Sequence, residues 1–295
     1  MITEIAPAPE RVSAEPDRRP RGRRRAWDEV PRRHIYLPLC VYLLFTLIPF
    51  YWILLFALRP AGSTSLVPWP MTFDHFEKVW NERAFGTYFQ NSVLVGIATL
   101  VMTTLVALAG GYALARFDFK VKKGFMLALL CTQFVPGALL LVPLFEIFAN
   151  LRMINSLVSV IIAETVFQLP LSMILISGFI RNVPYSLEEA AWVDGCNRFT
   201  AFRIVVLPLL RPGLIAVGSF AFVHAWNHFL FALMFLSDQG KQTIPVGLNT
   251  LMSADSVDLG ALAAGGIIAA VPVVIVFAFI QKWLITGFSA GAVKG

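Results

Sequence analysis

A carboxylate and an amide, Glu164 and Gln168, stand one helical turn apart inside the apolar run 157–180. Trp226, Asn227 and Phe231 place aromatic faces beside a second amide in the apolar run 213–236. Ionisable and amide groups in such surroundings are costly and mark functional candidates. Rings stacked on an apolar sugar face, with amides and carboxylates taking hydroxyls, would bind a carbohydrate; the same groups would equally satisfy one another between helices. Glu146 lies near the end of its run and can reach an interface instead. In the string His-Ala-Trp-Asn-His, His224 and His228 have the i, i+4 spacing of zinc ligands. The Glu of an HExxH motif is missing and no third ligand stands near them in the chain, so no metal site is expected. No G-x-x-x-x-G-K-S/T occurs anywhere, so nothing cradles the phosphates of ATP. No nucleophile–base pair stands out, and no catalytic residues are expected.

The elements that must carry these side chains are set by hydropathy. Of the 295 residues 57% are hydrophobic and 14% charged, with a mean hydropathy of +0.71. Soluble domains run about 45–50% apolar and about 25% charged, so lipid is the expected solvent. A membrane helix needs about 20 apolar residues, and six runs qualify: 35–58, 89–115, 124–149, 157–180, 213–236 and 259–285. The expected fold is all-α and polytopic. Pro49, Pro136, Gly137, Pro143, Pro170 and Pro272 permit bends within the spans. The small residues of 110–115 and 260–270 allow close helix packing. Between spans one and two, Phe73, Phe76, Val79 and Trp80 recur at helical spacing, with Thr72 or Asp74 as a cap. Cys40, Cys131 and Cys196 are too scattered for a disulfide framework.

Nineteen of the 24 Lys and Arg fall in the segments that lie inside if the N-terminus is inside. That asymmetry predicts cytoplasmic N- and C-termini. Residues 1–34 hold nine Arg, but six acidic residues and five prolines dilute them. This composition reads as a disordered tail that fixes topology, not as a nucleic-acid arm or a signal peptide.

One charged module interrupts the apolar pattern: 184–213, with Glu188, Glu189, Asp194, Arg198, Arg203 and Arg211, on the predicted cytoplasmic side. Ser186 and Glu189 have the spacing of a capping box. Leu187, Ala190, Ala191 and Asp194 then share one helix face, flattened by the two alanines. Gly195 is the expected stop. A second short helix carries Phe199, Phe202 and Val206, with Pro208 expected to end it. A surface elbow this apolar suits docking.

The string Glu189-Ala190-Ala191, with Gly195 and Leu207-Pro208 at their spacings, resembles the EAA loop of bacterial ABC importer permeases. Val205 stands where that pattern has Ile. Asp194 before the glycine, the strings at 85–95 and 226–236, and the ending "GFSAGAVKG" resemble the carbohydrate, MalG-like branch. The resemblance covers 35–295 and implies a MetI-like permease core over about 88–286, in a bacterial inner membrane. It implies that the EAA loop is the helix through which a separate ATPase moves the spans, with Glu189, Ala190, Ala191, Asp194, Gly195, Leu207 and Pro208 in that coupling. Residues 287–295, read as a flexible tail, would reach between the ATPase subunits. The implied partners are a second, MalF-like permease, two ATPase subunits holding ATP and Mg, and an extracytoplasmic solute-binding protein; the chain itself would need no cofactor. In that branch an acidic residue usually stands at His228, which weakens any transfer of pathway residues.

The expected cargo is a sugar, a di- or oligosaccharide. Glycerol phosphate or another polar solute is the alternative, but phosphate would favour Lys or Arg facing the cavity from a span interior, and none stands there, Lys282 lying at the cytoplasmic end of the last run. An ion-coupled carrier would need inverted repeats or buried charge relays and leaves the elbow unexplained.

Overall fold

The computed structural model describes residues 32–82, 84–252 and 257–292, with side chains for 36–82, 84–252 and 257–281. The basic tail expected over 1–34 lies almost wholly outside them. Every regular element among the described residues is helical. The chain divides into a unit 1–50 and a unit 51–295. α1 (Arg32–Leu58) is the first helix among the described residues. A loop leads to α2 (Asp74–Glu77) and a π turn, Lys78–Glu82, before the long α3 (Phe85–Arg116). α4 (Lys122–Thr132) and α5 (Leu141–Asn150) flank a 3-10 turn, and α6 (Leu157–Arg181) follows. The elbow comprises α7 (Ser186–Val193), α8 (Arg198–Ala201), a π turn and α9 (Leu207–Leu209). Then come α10 (Arg211–Asn227), α11 (Leu230–Phe235), α12 (Ile244–Met252) and α13 (Leu259–Ala292).

Stretches of α1, α3, α6 and α13 are each long and apolar enough to cross a membrane. Counting each of two bent pairs as one span gives up to six, but the second pair joins the elbow's second arm, Arg198–Leu209, to α10 and is not the expected run 213–236. The run 124–149 is broken: its halves meet at 92° around Gln133–Pro136. Pro136 is extended there and cannot continue α4. The run 213–236 is not one helix either, because His228 leaves helical geometry (φ -76, ψ 123) and α11 resumes at Leu230.

α3 is the centre of the 51–295 unit, packing most extensively on α6 and next on α10. The approach to α6 depends on Gly111: a Cβ there would lie 2.7 Å from Ile176 Cγ2 and 3.1 Å from the Ser177 backbone nitrogen. At the elbow end, Ala107, Ile176, Ile180, Val206, Leu210 and Val217 close the core. At the other end, α3 begins with buried Phe85 and Tyr88, packed with Trp226, Ile244 and Ala261.

Four local expectations change. Ser186 is not a cap, since α7 starts on it and Tyr185 precedes it in helical geometry with no side-chain cap. The chain is already coiled at Tyr185, whose carbonyl accepts from the amides of Glu188 and Glu189, so the serine is one position too late. Pro208 does not end the helix at its own position; the second arm keeps helical geometry from Arg198 through the π turn to Leu209, and the 74° bend comes at Leu210. On α2 and the π turn after it, Val79 is buried but Phe73 and Trp80 are exposed, and His75 is buried instead. Residues 287–292 continue α13 rather than forming a flexible tail; extending a long helix costs far less than nucleating one.

Candidate functional site

Gly195 does stop α7, at φ +90, a left-handed conformation that glycine adopts without strain. Its amide donates to the Trp192 carbonyl at 3.0 Å and the Cys196 amide to the Ala191 carbonyl at 2.9 Å, the paired bonds of a Schellman motif. Asn197 then caps α8, its side-chain oxygen accepting from the Thr200 amide at 2.8 Å. These two devices turn the chain between the arms of the elbow within five residues.

The two consecutive glutamates of α7 have opposite surroundings. Glu189 is exposed, with Ala190, Asp194 and Pro208; Ala191 and Leu207 are half-buried. Apolar side chains stand out around them, notably Val193, 88% exposed, and Phe199, 72% exposed. Glu188 has no exposed surface. Arg116 Nε donates to its Oε1 at 2.6 Å, and the Tyr112 hydroxyl donates to its Oε2 at 2.7 Å. A further Arg116 nitrogen donates to the Val183 carbonyl at 2.9 Å. Sequence reasoning missed this cluster. No local signal separates the two glutamates: adjacent helical residues point about 100° apart and both can face outward, as exposed Glu189 and Ala190 do.

Within the spans, the structure brings Glu164 together with His224 and His228. Glu164 is fully buried; His224 Nδ1 lies 3.1 Å from its Oε2, and His228 Nδ1 lies 2.6 Å from its Oε1 in a close contact poorly aligned for a hydrogen bond. The imidazoles are stacked on each other, and His228 also rests on the Phe231 ring at 4.5 Å. Among the described residues no group of three His, Cys, Asp or Glu side chains is set to hold a metal ion.

The other expected pathway residues separate. Gln168 donates to the Ala221 carbonyl at 3.1 Å and, with Gln133, Phe167, Phe220 and His224, lines a cleft of about 440 Å³. Trp226 is buried, its indole N–H donating to the Ala269 carbonyl at 3.0 Å and its ring stacked on Phe222. Asn227 donates to the Val223 carbonyl of its own helix and lines a second cleft of about 350 Å³, with Pro245, Leu248 and Asn249. Phe231 is buried between Phe167 and Phe235. Gln168 and Asn227 therefore face clefts, while Glu164, Trp226 and Phe231 are enclosed by protein.

A helical bundle with broken spans, apolar outer faces and one projecting charged elbow defines a membrane permease. Residues 107–289 match the family described as the binding-protein-dependent transport system inner membrane component. The diacetylchitobiose uptake system permease protein DasC of Streptomyces coelicolor is 35% identical over 252 residues, spanning 84% of this chain and 91% of that protein. The trehalose transport system permease protein SugB of Mycobacterium tuberculosis is 30% identical, spanning 85% and 93%. The melibiose/raffinose/stachyose import permease protein MelC of Bacillus subtilis is 33% identical, spanning 84% and 91%. A crystal structure of a bacterial ABC transporter for the acidic polysaccharide alginate contains a chain that superposes with a TM-score of 0.72 at 19% identity, covering 85% of this chain and 97% of that one. The chain belongs to the family of binding-protein-dependent ABC importer permeases, in its carbohydrate branch.

Proposed function

We propose that this permease carries a neutral di- or oligosaccharide inward, and that a separate ATPase drives it through the elbow. The cargo of the three relatives supports a sugar. The linings of both clefts support a neutral one, since they combine aromatic rings with amides and, among the described residues, include no Lys or Arg. Gln168 and Asn227 are the side chains of the expected pathway placed to meet a solute, with His224 beside Gln168.

One observation carries the drive: the elbow presents Glu189, Ala190 and Asp194 with an apolar rim, on a turn that continues directly into α6 and α10. Such a surface fits a groove on another protein, with the acidic pair meeting basic groups. ATP and Mg belong to that partner. A second permease would complete the pathway, and a solute-binding protein would deliver the cargo. Both termini lie in the cytoplasm in this reading, and the helical C-terminal end of α13 extends on the ATPase side.

The test is uptake of labelled diacetylchitobiose, trehalose and raffinose by cells carrying the complete transporter. Saturable uptake of at least one, abolished by Glu189→Lys with the chain still present in the membrane, is the expected result. Unchanged ATP-dependent uptake by that variant removes the elbow from the mechanism.

A further inference from the structure

The docking surface explains Glu189 but not Glu188, which faces away from any partner and is gripped from within the chain. The elbow is joined by the backbone to α6 on one side and α10 on the other. It has no such connection to α3, the helix on which both of them pack. Arg116 lies 72 residues before Glu188, and only side chains close that gap.

We propose that Glu188 is a positioning residue that fastens the elbow to the last turn of α3, so that displacing the elbow moves α3, α6 and α10 as one body. The arrangement has the form of a clamp. Tyr112 and Arg116, one turn apart on α3, each engage a different oxygen of the one carboxylate. Arg116 also holds the Val183 carbonyl at the base of the elbow, and its guanidinium lies 5.4 Å over the Tyr185 ring. The Tyr112 ring meets Phe202 of the second arm edge-on at 5.0 Å. The end of α3 therefore holds both arms. A buried ion pair of this kind adds little net stability over apolar packing, but removing one partner is costly and the geometry it imposes is directional. Without it, α3 would follow the elbow only through its neighbours' packing.

The inference rests on the reading of the elbow as the ATPase-driven element, and its test separates the two. In the complete transporter in lipid nanodiscs, with Cys40, Cys131 and Cys196 replaced, spin labels are placed at Ser186→Cys on the elbow and Leu105→Cys on α3, both exposed. Their separation is measured without nucleotide and trapped with ATP and vanadate. The expected result is one narrow distance, the same in both states; with Glu188→Gln the distribution broadens and shifts when nucleotide is added. A distance that stays narrow and fixed in Glu188→Gln overturns the proposal. The apolar pair Glu188→Leu with Arg116→Met keeps the core filled and is expected to recover thermal stability but not the fixed distance; recovery of both shows that the pair is packing alone and also overturns it. Glu189→Lys reports on the underlying reading by itself: retention of the ATPase during purification defeats the docking surface, whatever Glu188 does.

Discussion

Glu164 holds the most exacting position of any side chain in the spans. A carboxylate with no exposed surface, in a helix long and apolar enough to cross the membrane, persists because two imidazoles face it, His224 on the last turn of α10 and His228 just past its end. Its residue type and its turn-spacing to Gln168 were readable in the sequence, and so were two uses for it: a hydroxyl of the cargo or a neighbouring helix. Packing decided for the neighbour, since His224 lies 60 residues away in the chain and only the α6–α10 contact brings it to the carboxylate. Removing the carboxylate leaves a hole at a fully buried position and takes the partner from half-buried His228, while exposed His224 keeps solvent. Glu164→Ala is therefore expected to cost about 1–3 kcal/mol, read as a lower midpoint of thermal unfolding in detergent. Glu164→Gln, which keeps the volume and still accepts from an imidazole, should lose less. Equal loss in both would indicate that charge, not shape and hydrogen bonding, sets the cost.

Among the elements, the breaks were more legible than the joins. Pro136 and Gly137 mark the place where α4 gives way to the 3-10 turn, and Gly195 marks the end of α7. The break at His228 had no such signal, because no proline or glycine precedes it within nine residues. The small residues of 110–115 do lie where α3 meets α6, and a Cβ added at Gly111 would meet the α6 backbone at Ser177. Gly111→Ala should cost about 1–3 kcal/mol through overpacking, since a backbone nitrogen cannot rotate away as a side chain can; thermal unfolding beside Gly124→Ala, a position open around its Cα, provides the control. At the opposite end of α3, Lys78 Nζ lies 2.8 Å from Asp258 Oδ2, just ahead of α13, where Asp258 Oδ1 also accepts from the Ala261 amide. The Lys78 hydrogen bond holds the Asp258 carboxyl below the usual carboxylate range, and the Ala261 amide adds to this. A carboxyl lowered by folding stabilises the fold above its ordinary value and stops doing so as the pH falls through the lowered one. The stability gap between the native chain and Lys78→Met should thus be constant above about pH 4 and close below it. Unfolding midpoints of the two proteins across an acid series measure this; a gap that widens on acidification contradicts it.

For the whole molecule, the distribution of Lys and Arg predicts which end of the bundle faces the cytoplasm, and it puts the elbow there. A Cys at Lys123, an exposed position, should react with a membrane-impermeant maleimide only after the cells are opened, and a Cys at the exposed Ser65 should react in intact cells. The opposite pattern would invert the topology and place the elbow out of reach of any cytoplasmic ATPase.

Hydropathy and the spacing of the EAA loop are properties of short stretches, each carried by residues within about 20 positions of one another, and charge asymmetry needs only a count of basic residues loop by loop. The sequence by itself therefore determined the helical membrane class, the family and the outline of the elbow. The sequestering of Glu164, the division of the pathway residues between two clefts, and the turning of Glu188 inward to Arg116 were decided only by tertiary structure. These depend on which helix faces meet, and a local pattern of apolar residues hides that choice because every face of a membrane helix is apolar.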